Sequence, residues 1–272
     1  MKYIKFDIKT PIDAPEFIGS MIRGVLGGAL KDVVCINPSF DCKECFAKDD
    51  CIYYKFYEEK NRFVNYRLDF NLYSKKIEFG LYLFNDAVDK YPYILSAIFK
   101  AFSQKGIGYK RETTEDFEIY YDNNIIFKAG EFSNNIKAEP KEFESSSFSP
   151  IIKLKLITPL RLKRDGRFLK SDNLDIKDIL ISAISKKSFF EQTKKEHIEQ
   201  FPSVVMKDLA FKDFTRFSNR QKRKMKVGGV VGEMIINNLT PQTYNLLKYA
   251  TITGVGKLNS FGLGKIEIEE LA

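Results

Sequence analysis

Cys35, Cys42, Cys45 and Cys51 are the four cysteines of the chain, and all fall between positions 35 and 51. The spacing gives one Cys-x-x-Cys pair with a flanking thiol on either side. Four thiolates can close a tetrahedral zinc site, and an iron–sulfur cluster would use the same ligands. Clustering of this kind in a reducing compartment favours a metal or redox group over disulfides. The spacing matches no standard finger, which weakens the signal, and a structural zinc is the leading expectation. An iron–sulfur cluster comes next, then free thiols or disulfides. A closed four-thiolate site would staple its loop and leave no open position for catalysis. The single histidine, His197, stands in Lys194-Lys195-Glu196-His197-Ile198. Histidine is the natural acid–base group near neutral pH, so His197 is the candidate catalytic residue, the alternative being a surface histidine at a charged helix end.

A second chemistry is written near the C-terminus. Gly254, Gly256, Gly262 and Gly264 punctuate a short segment that also holds Lys257, Asn259 and Ser260. Glycine reaches backbone conformations closed to residues with a Cβ. Successive N–H groups can then converge on an oxyanion as an anion nest, with Lys257, Asn259 and Ser260 as side-chain donors. The alternative is a tight connector that merely packs on a sheet. The order strand–GxxxxGK[ST]–helix is absent and the segment opens no helix, so neither nucleotide fingerprint applies. An extended anion such as an RNA backbone fits better. Residues 216–226 add Arg216, Arg220, Lys222, Arg223, Lys224 and Lys226 just before Gly228-Gly229. A cationic patch of this density binds nucleic acid by releasing counterions.

These groups need elements to hold them. Lys2 to Ile8 alternates as a strand, and Asp13 with Pro15 reads as the N-cap and first turn of a helix. Ile18, Met21, Ile22, Val25, Leu26 and Ala29 form the buried stripe of that helix. Strands are expected at about 63–73 and 77–84, with Ser74-Lys75-Lys76 as the turn. A helix at about 88–102 and strands at 117–121 and 125–128 close the half. Residues 131–150 lack periodicity and read as a linker. The second half repeats the plan: a strand at 152–162, a helix at 176–190, strands near 211–217 and 226–236, a helix capped by Thr240-Pro241, and a last strand at 265–268. The order β-α-β-β-α-β in each half predicts an α+β chain of tandem ferredoxin-like domains. Their expected extents are 1–130, with a Cys-rich insert at about 34–53, and 151–272.

The chain has 272 residues, 44% hydrophobic, enough for two such cores. A net charge of +8 favours an anionic partner, while the 36 acidic residues confine any binding face to a local patch. No run approaches the roughly 18 apolar residues of a membrane span, and the N-terminus alternates like a strand instead of resembling a signal peptide. A cytoplasmic protein without a membrane partner is expected.

Taken together, the motifs resemble the CRISPR RNA-processing endoribonucleases, the sixth Cas family of the RAMP superfamily. The segment Gly254–Gly264 is similar to the superfamily's glycine-rich loop. Ile157-Thr-Pro-Leu-Arg-Leu-Lys163, and Arg216-Phe-Ser-Asn-Arg-Gln221 leading into Gly228-Gly229-Val-Val-Gly232, are also similar. So are Ile22-Arg-Gly24 with Gly28, the four cysteines and Tyr53. The resemblance implies recognition of CRISPR repeat RNA within precursor transcripts, with Arg23 holding the backbone beside the basic run and the glycine loop. It implies metal-independent cleavage without a catalytic cofactor, in which a ribose 2′-OH attacks the adjacent phosphate and leaves a 2′,3′-cyclic end. Other CRISPR effector proteins are further implied partners. Many members carry a catalytic histidine on or just after the first helix, and this chain has none there. His197, or Arg23, Lys31 and the basic run without any histidine, would then serve the transition state. A non-catalytic RNA-binding subunit of a CRISPR effector complex is the competing reading. A metal-dependent nucleotide enzyme is a remoter one.

Overall fold

Alternating side chains over Lys2–Asp13 make the first strand, β1, in which Ile4, Phe6, Ile8 and Ile12 are buried while Lys9, Pro11 and Asp13 face water. The computed structural model describes residues 1–60, 63–134, 136–145, 147–218 and 223–271. It divides into two units, Met1–Leu68 with Tyr73–Glu142, and Asp69–Leu72 with Phe143–Ala272.

In the N-terminal unit β1 runs inside a seven-stranded sheet, flanked by β3 (Lys76–Phe84) and β4 (Glu118–Tyr121). Phe6 lies opposite Leu81 on one side and Tyr121 on the other. The strand β2 (Tyr66–Asp69) lies beyond β3, and β5 (Asn124–Lys128) and β6 (Glu131–Phe132) lie beyond β4. Residues Lys141–Glu142 form β7, which pairs with the start of β1. Two helices, α1 (Gly19–Val34) and α2 (Tyr91–Lys100), pack together and bury Ile22, Leu26, Leu30, Ile94, Leu95 and Ile98.

Three local expectations change. Asp13 does not cap α1. It ends β1 and pairs with Lys76 across the strands at 2.7 Å, while Thr10 Oγ1 donates to Ile77 O and keeps the chain extended. The helix therefore begins at Gly19, without a side-chain cap. The single helix expected over 88–102 is a 3-10 turn (Asn85–Lys90), α2, and a π turn (Ala101–Lys105). Pro92 lacks an N–H and has a fixed φ, so it suits the start of α2 and not a helix interior. The stretch read as a linker contributes β6 and β7 to the N-terminal sheet.

The C-terminal unit has a four-stranded sheet in the order β11-β12-β8-β13, from β8 (Ile152–Leu160), β11 (Ser203–Ser218), β12 (Arg223–Asn237) and β13 (Ile266–Glu270). A small hairpin, β9 (Lys163–Arg164) with β10 (Arg167–Phe168), precedes α3 (Ile176–Glu191). The last helix, α4 (Pro241–Thr253), starts as read from the sequence, with Thr240 as N-cap and a reciprocal bond from Thr243. Asp175 and Asp178 form the matching capping box of α3. Leu154, Leu156, Ile179, Leu180, Val230, Met234 and Leu247 belong to one buried cluster. The four ferredoxin-like strands of each unit, β2-β3-β1-β4 and β11-β12-β8-β13, share one neighbour order, so the fold is tandem ferredoxin-like.

β11 and β12 pair from Ser203↔Asn237 to Ser218↔Arg223, but β12 pairs with β8 only from Val230 onward. Before Val230, over residues 223–229 of β12 and their partners in β11, the pair is a two-stranded arm. Gly24 sits within α1, and a Cβ added there would meet nothing within 4 Å. Gly24→Ala should therefore raise unfolding free energy by about 1 kcal/mol through helix propensity alone. Urea unfolding with an unchanged m-value would check this, and a lower midpoint would count against it.

Candidate nucleic-acid interface

The glycine segment, residues 254–264, links α4 to β13 and wraps a buried lysine. Lys186 lies on α3, 1% exposed, and its ammonium donates to Thr253 O at 2.9 Å, Gly254 O at 2.8 Å and Asn259 Oδ1 at 2.5 Å. Asn259 in turn donates from Nδ2 to Val255 O and Leu263 O. The fully buried Thr158 of β8 donates to Gly262 O at 2.8 Å and accepts from Lys265 N at 2.9 Å. Gly264 has φ +75°, and a Cβ on it would stand 1.9 Å from Val255 O. Gly256 has φ +71° with Arg161 O in the place of a Cβ. Both positions demand glycine.

This geometry corrects the anion-nest expectation. Gly254 N–H donates to Ala250 O, Gly256 N–H to Ser182 Oγ, Lys257 N–H to Arg161 O, Gly262 N–H to Asn259 O and Gly264 N–H to Pro159 O. These amides tie the loop to α4, to Ser182 of α3 and to the end of β8 instead of converging on an outside oxyanion. Asn259 is likewise spent on the loop's own carbonyls. Lys257 is exposed and Ser260 half-buried, so the loop acts as a rigid shelf that carries both as side-chain donors.

The structure brings the basic run to this shelf. Arg216, on the arm opposite Met225, places its guanidinium 4.7 Å from the Phe261 ring centroid. Arg223, Lys224 and Lys226 are exposed near the end of the same arm, Lys226 lying 3.4 Å from Asp213. An exposed pair of this kind contributes little and exchanges readily for phosphate. Arg220 and Lys222 lie outside the described residues.

Other predicted residues stand apart. His197 is exposed, and its carbonyl accepts from Gln242 Nε2 at 2.8 Å in the first turn of α4. The glycine loop begins after that helix ends, and residues 242 and 254 are about 18 Å apart along its axis. Arg23 belongs to the N-terminal unit, where its guanidinium stacks 4.3 Å from the Tyr57 ring centroid and donates to Phe56 O at 3.4 Å. Tyr57 donates back to Arg23 O at 3.1 Å. Arg23 thus braces α1 against residues 54–58. Lys31 is 5.2 Å from the Tyr53 ring centroid, and Tyr53 donates to Glu58 at 3.2 Å. Burial first, then the Glu58 carboxylate, pushes the Tyr53 phenol well above its ordinary range.

The cysteines do not form the expected zinc or iron–sulfur site. Among the described residues, no group of three or more His, Cys, Asp or Glu is arranged to hold a metal ion. Cys35, Cys42, Cys45 and Cys51 are half-buried free thiols that line a common cavity of about 270 Å³ with Val34 and Ile52. Burial pushes the Cys42 thiol up, and the nearby Lys31 ammonium offsets part of that rise.

Two contributors were given no role in the sequence reading, although Arg161 lies in the family-like segment 157–163. Lys186 sits in a helical stripe and carries no local signal. Arg161 holds Lys257 N–H with its carbonyl, donates to Gly228 O at 2.9 Å, and lies between β8 and the β9–β10 hairpin, whose Asp165-Gly166 turn was a readable signal. Lys186→Met would strand three buried acceptors. Unfolding free energy should fall by about 3 kcal/mol, with repeat-RNA affinity falling alongside. Denaturant unfolding and filter binding would check both, and wild-type stability would contradict the account.

The family model described as CRISPR-associated endoribonuclease Cas6 matches residues 154–266, and the model AF_1859_N, an N-terminal domain, matches residues 2–141. No curated protein sequence matches the chain. Among solved structures, a product complex of Thermus thermophilus Cas6 is similar at TM-score 0.63 and 14% identity, covering 98% of this chain and 99% of that one. "An RAMP protein binding different RNA substrates" is similar at TM-score 0.50 and 10% identity, over 99% and 100% of the two chains. A partial Cas6-RT-Cas1–Cas2 complex matches at TM-score 0.56 and 12% identity, over 99% of this chain and 46% of that one. These structures share the tandem ferredoxin-like fold, and the C-terminal part of the chain, residues 154–266, matches the family of CRISPR-associated Cas6 endoribonucleases.

Proposed function

We propose that this chain binds CRISPR repeat RNA and cuts precursor transcripts without a metal. The 2′-hydroxyl gives up its proton to a general base as its oxygen forms a bond to the adjacent phosphorus, the P–O5′ bond breaks, and the 5′-oxygen takes up a proton, leaving a 2′,3′-cyclic phosphate. The observation that carries the binding half is the joining of the basic arm to the glycine loop through Arg216 and Phe261. Arg223, Lys224, Lys226 and Lys257 are the backbone-holding cations, and Ser260 is a further donor. The named RNA-substrate and Cas6 complexes among similar structures support repeat RNA as a partner, and the Cas6-RT-Cas1–Cas2 complex supports other CRISPR proteins as partners.

The acid–base role has two readings. His197 is the only imidazole, but its backbone docks at the far end of α4 from the glycine loop. Lys31 and Tyr53 are favoured by one specific observation: an ammonium lies 5.2 Å from the ring centroid of a phenol that donates to Glu58 at 3.2 Å. Tyr53 then protonates the leaving 5′-oxygen, and Lys31 stabilises the phosphorane charge.

Purified protein with its cognate repeat RNA in excess EDTA should give a single cut ending in a cyclic phosphate. Tyr53→Phe should slow that cut by about 100-fold or more, while His197→Ala should cut at the wild-type rate. Loss of cleavage in His197→Ala with Tyr53→Phe intact would move catalysis to His197. Tight binding without cutting would make the chain a non-catalytic RNA-binding subunit.

A further inference from the structure

Arg161, Leu162 and Leu169 anchor a hairpin whose tip no motif had marked. Leu162 and Leu169 are buried in the C-terminal core, and Leu169 N–H donates to Leu162 O at 3.0 Å. Between them, β9 and β10 turn through Asp165 and Gly166, both at positive φ, the two-residue turn that matches strand twist. Arg164 is held down by Asp178 of the α3 capping box, with Nε 3.0 Å from Oδ1. The hairpin is therefore fixed at its root and on one flank.

Phe168 is 40% exposed at the end of β10, opposite Lys163. Two cations approach its ring, the Arg161 guanidinium at 3.8 Å from the centroid and the Lys163 ammonium at 4.5 Å. An aromatic ring left in water beside paired cations is poorly explained by core packing. The same Arg161 accepts from Lys257 N–H through its carbonyl, so the ring is tied through one residue to the glycine shelf. We infer that Phe168 is a stacking platform for one unpaired nucleobase of the bound RNA, with Lys163 and Lys257 taking the flanking phosphates. The inference rests on the RNA-binding reading above and deepens it.

The energetics favour exchange. An exposed lysine–ring contact is weak, about 0.5–1 kcal/mol, and the flexible lysine stem can swing aside. A base stacked on an aromatic ring gains more, and any base can use the face. Unpaired bases splayed onto aromatic side chains are also the usual means of reading single-stranded RNA. Arg161, half-buried and bonded to Gly228 O, stays in place as the floor beneath the ring.

The test is equilibrium binding of cognate repeat RNA to the full chain, in EDTA and with the 2′-OH at the cut site replaced by hydrogen. Phe168→Ala should weaken binding by about 10-fold or more, with the slope of affinity against salt unchanged. Phe168→Trp should restore wild-type affinity. A scan of RNAs each lacking one base should find a single position where base removal weakens wild type and no longer weakens Phe168→Ala. Wild-type affinity in Phe168→Ala, while Lys257→Ala binds more weakly and with a shallower salt slope, would overturn the platform and leave the RNA-binding reading intact. Absence of repeat-RNA binding by the wild type would overturn both. Equal thermal midpoints for wild type and Phe168→Ala would show that the fold is not the cause.

Discussion

A lysine ammonium with three oxygen acceptors, sealed under the glycine segment, fixes the shape of the C-terminal surface. Burying a cation is costly unless its donors are satisfied. Lys186 satisfies its own by collecting the last carbonyl of α4, the carbonyl of Gly254 and the side chain of Asn259. Helix ends leave carbonyls unpaired, so the same contacts also finish α4. Asn259 passes the constraint on to Val255 and Leu263. The loop cannot move without exposing or orphaning several buried polar groups at once.

The features expected to meet RNA hang from that fixed loop. Its Lys257 amide holds the Arg161 carbonyl, and Arg161 holds Gly228 at the base of the arm and the ring of Phe168. Phe261 receives Arg216 from the arm itself. A two-stranded ribbon is marginal in isolation, so these two arginines give the arm an address as well as a charge. The arrangement separates two kinds of group: buried polar groups set geometry, and exposed lysines and arginines leave positive charge at the surface.

The repeated strand–helix plan was legible because its signals are local. Alternation in β1, the Thr240-Pro241 start of α4 and the buried stripe of α3 each depend on near neighbours in sequence. Where tertiary contacts decide, the reading failed. Asp13 looked like a cap until Lys76 is seen across the strands. The clustered cysteines suggested a metal, whereas they line a cavity as free thiols. The glycine loop was found, but its amides point inward, a fact set by Pro159, Arg161 and Ser182, all distant in sequence. Lys186 is one lysine among many on paper, and only burial singles it out.

The central claim is that the glycine loop is built before RNA arrives, with the amides of its glycines already bonded within the protein. Hydrogen exchange of the amides of Val255, Lys257, Gly262 and Gly264, measured with and without repeat RNA, tests it most directly. Their bonds to Gly264, Arg161, Asn259 and Pro159 predict slow exchange in the free protein and little change on adding RNA. Fast exchange in the free protein that becomes slow with RNA would mean that the loop forms around a phosphate, and would contradict the account.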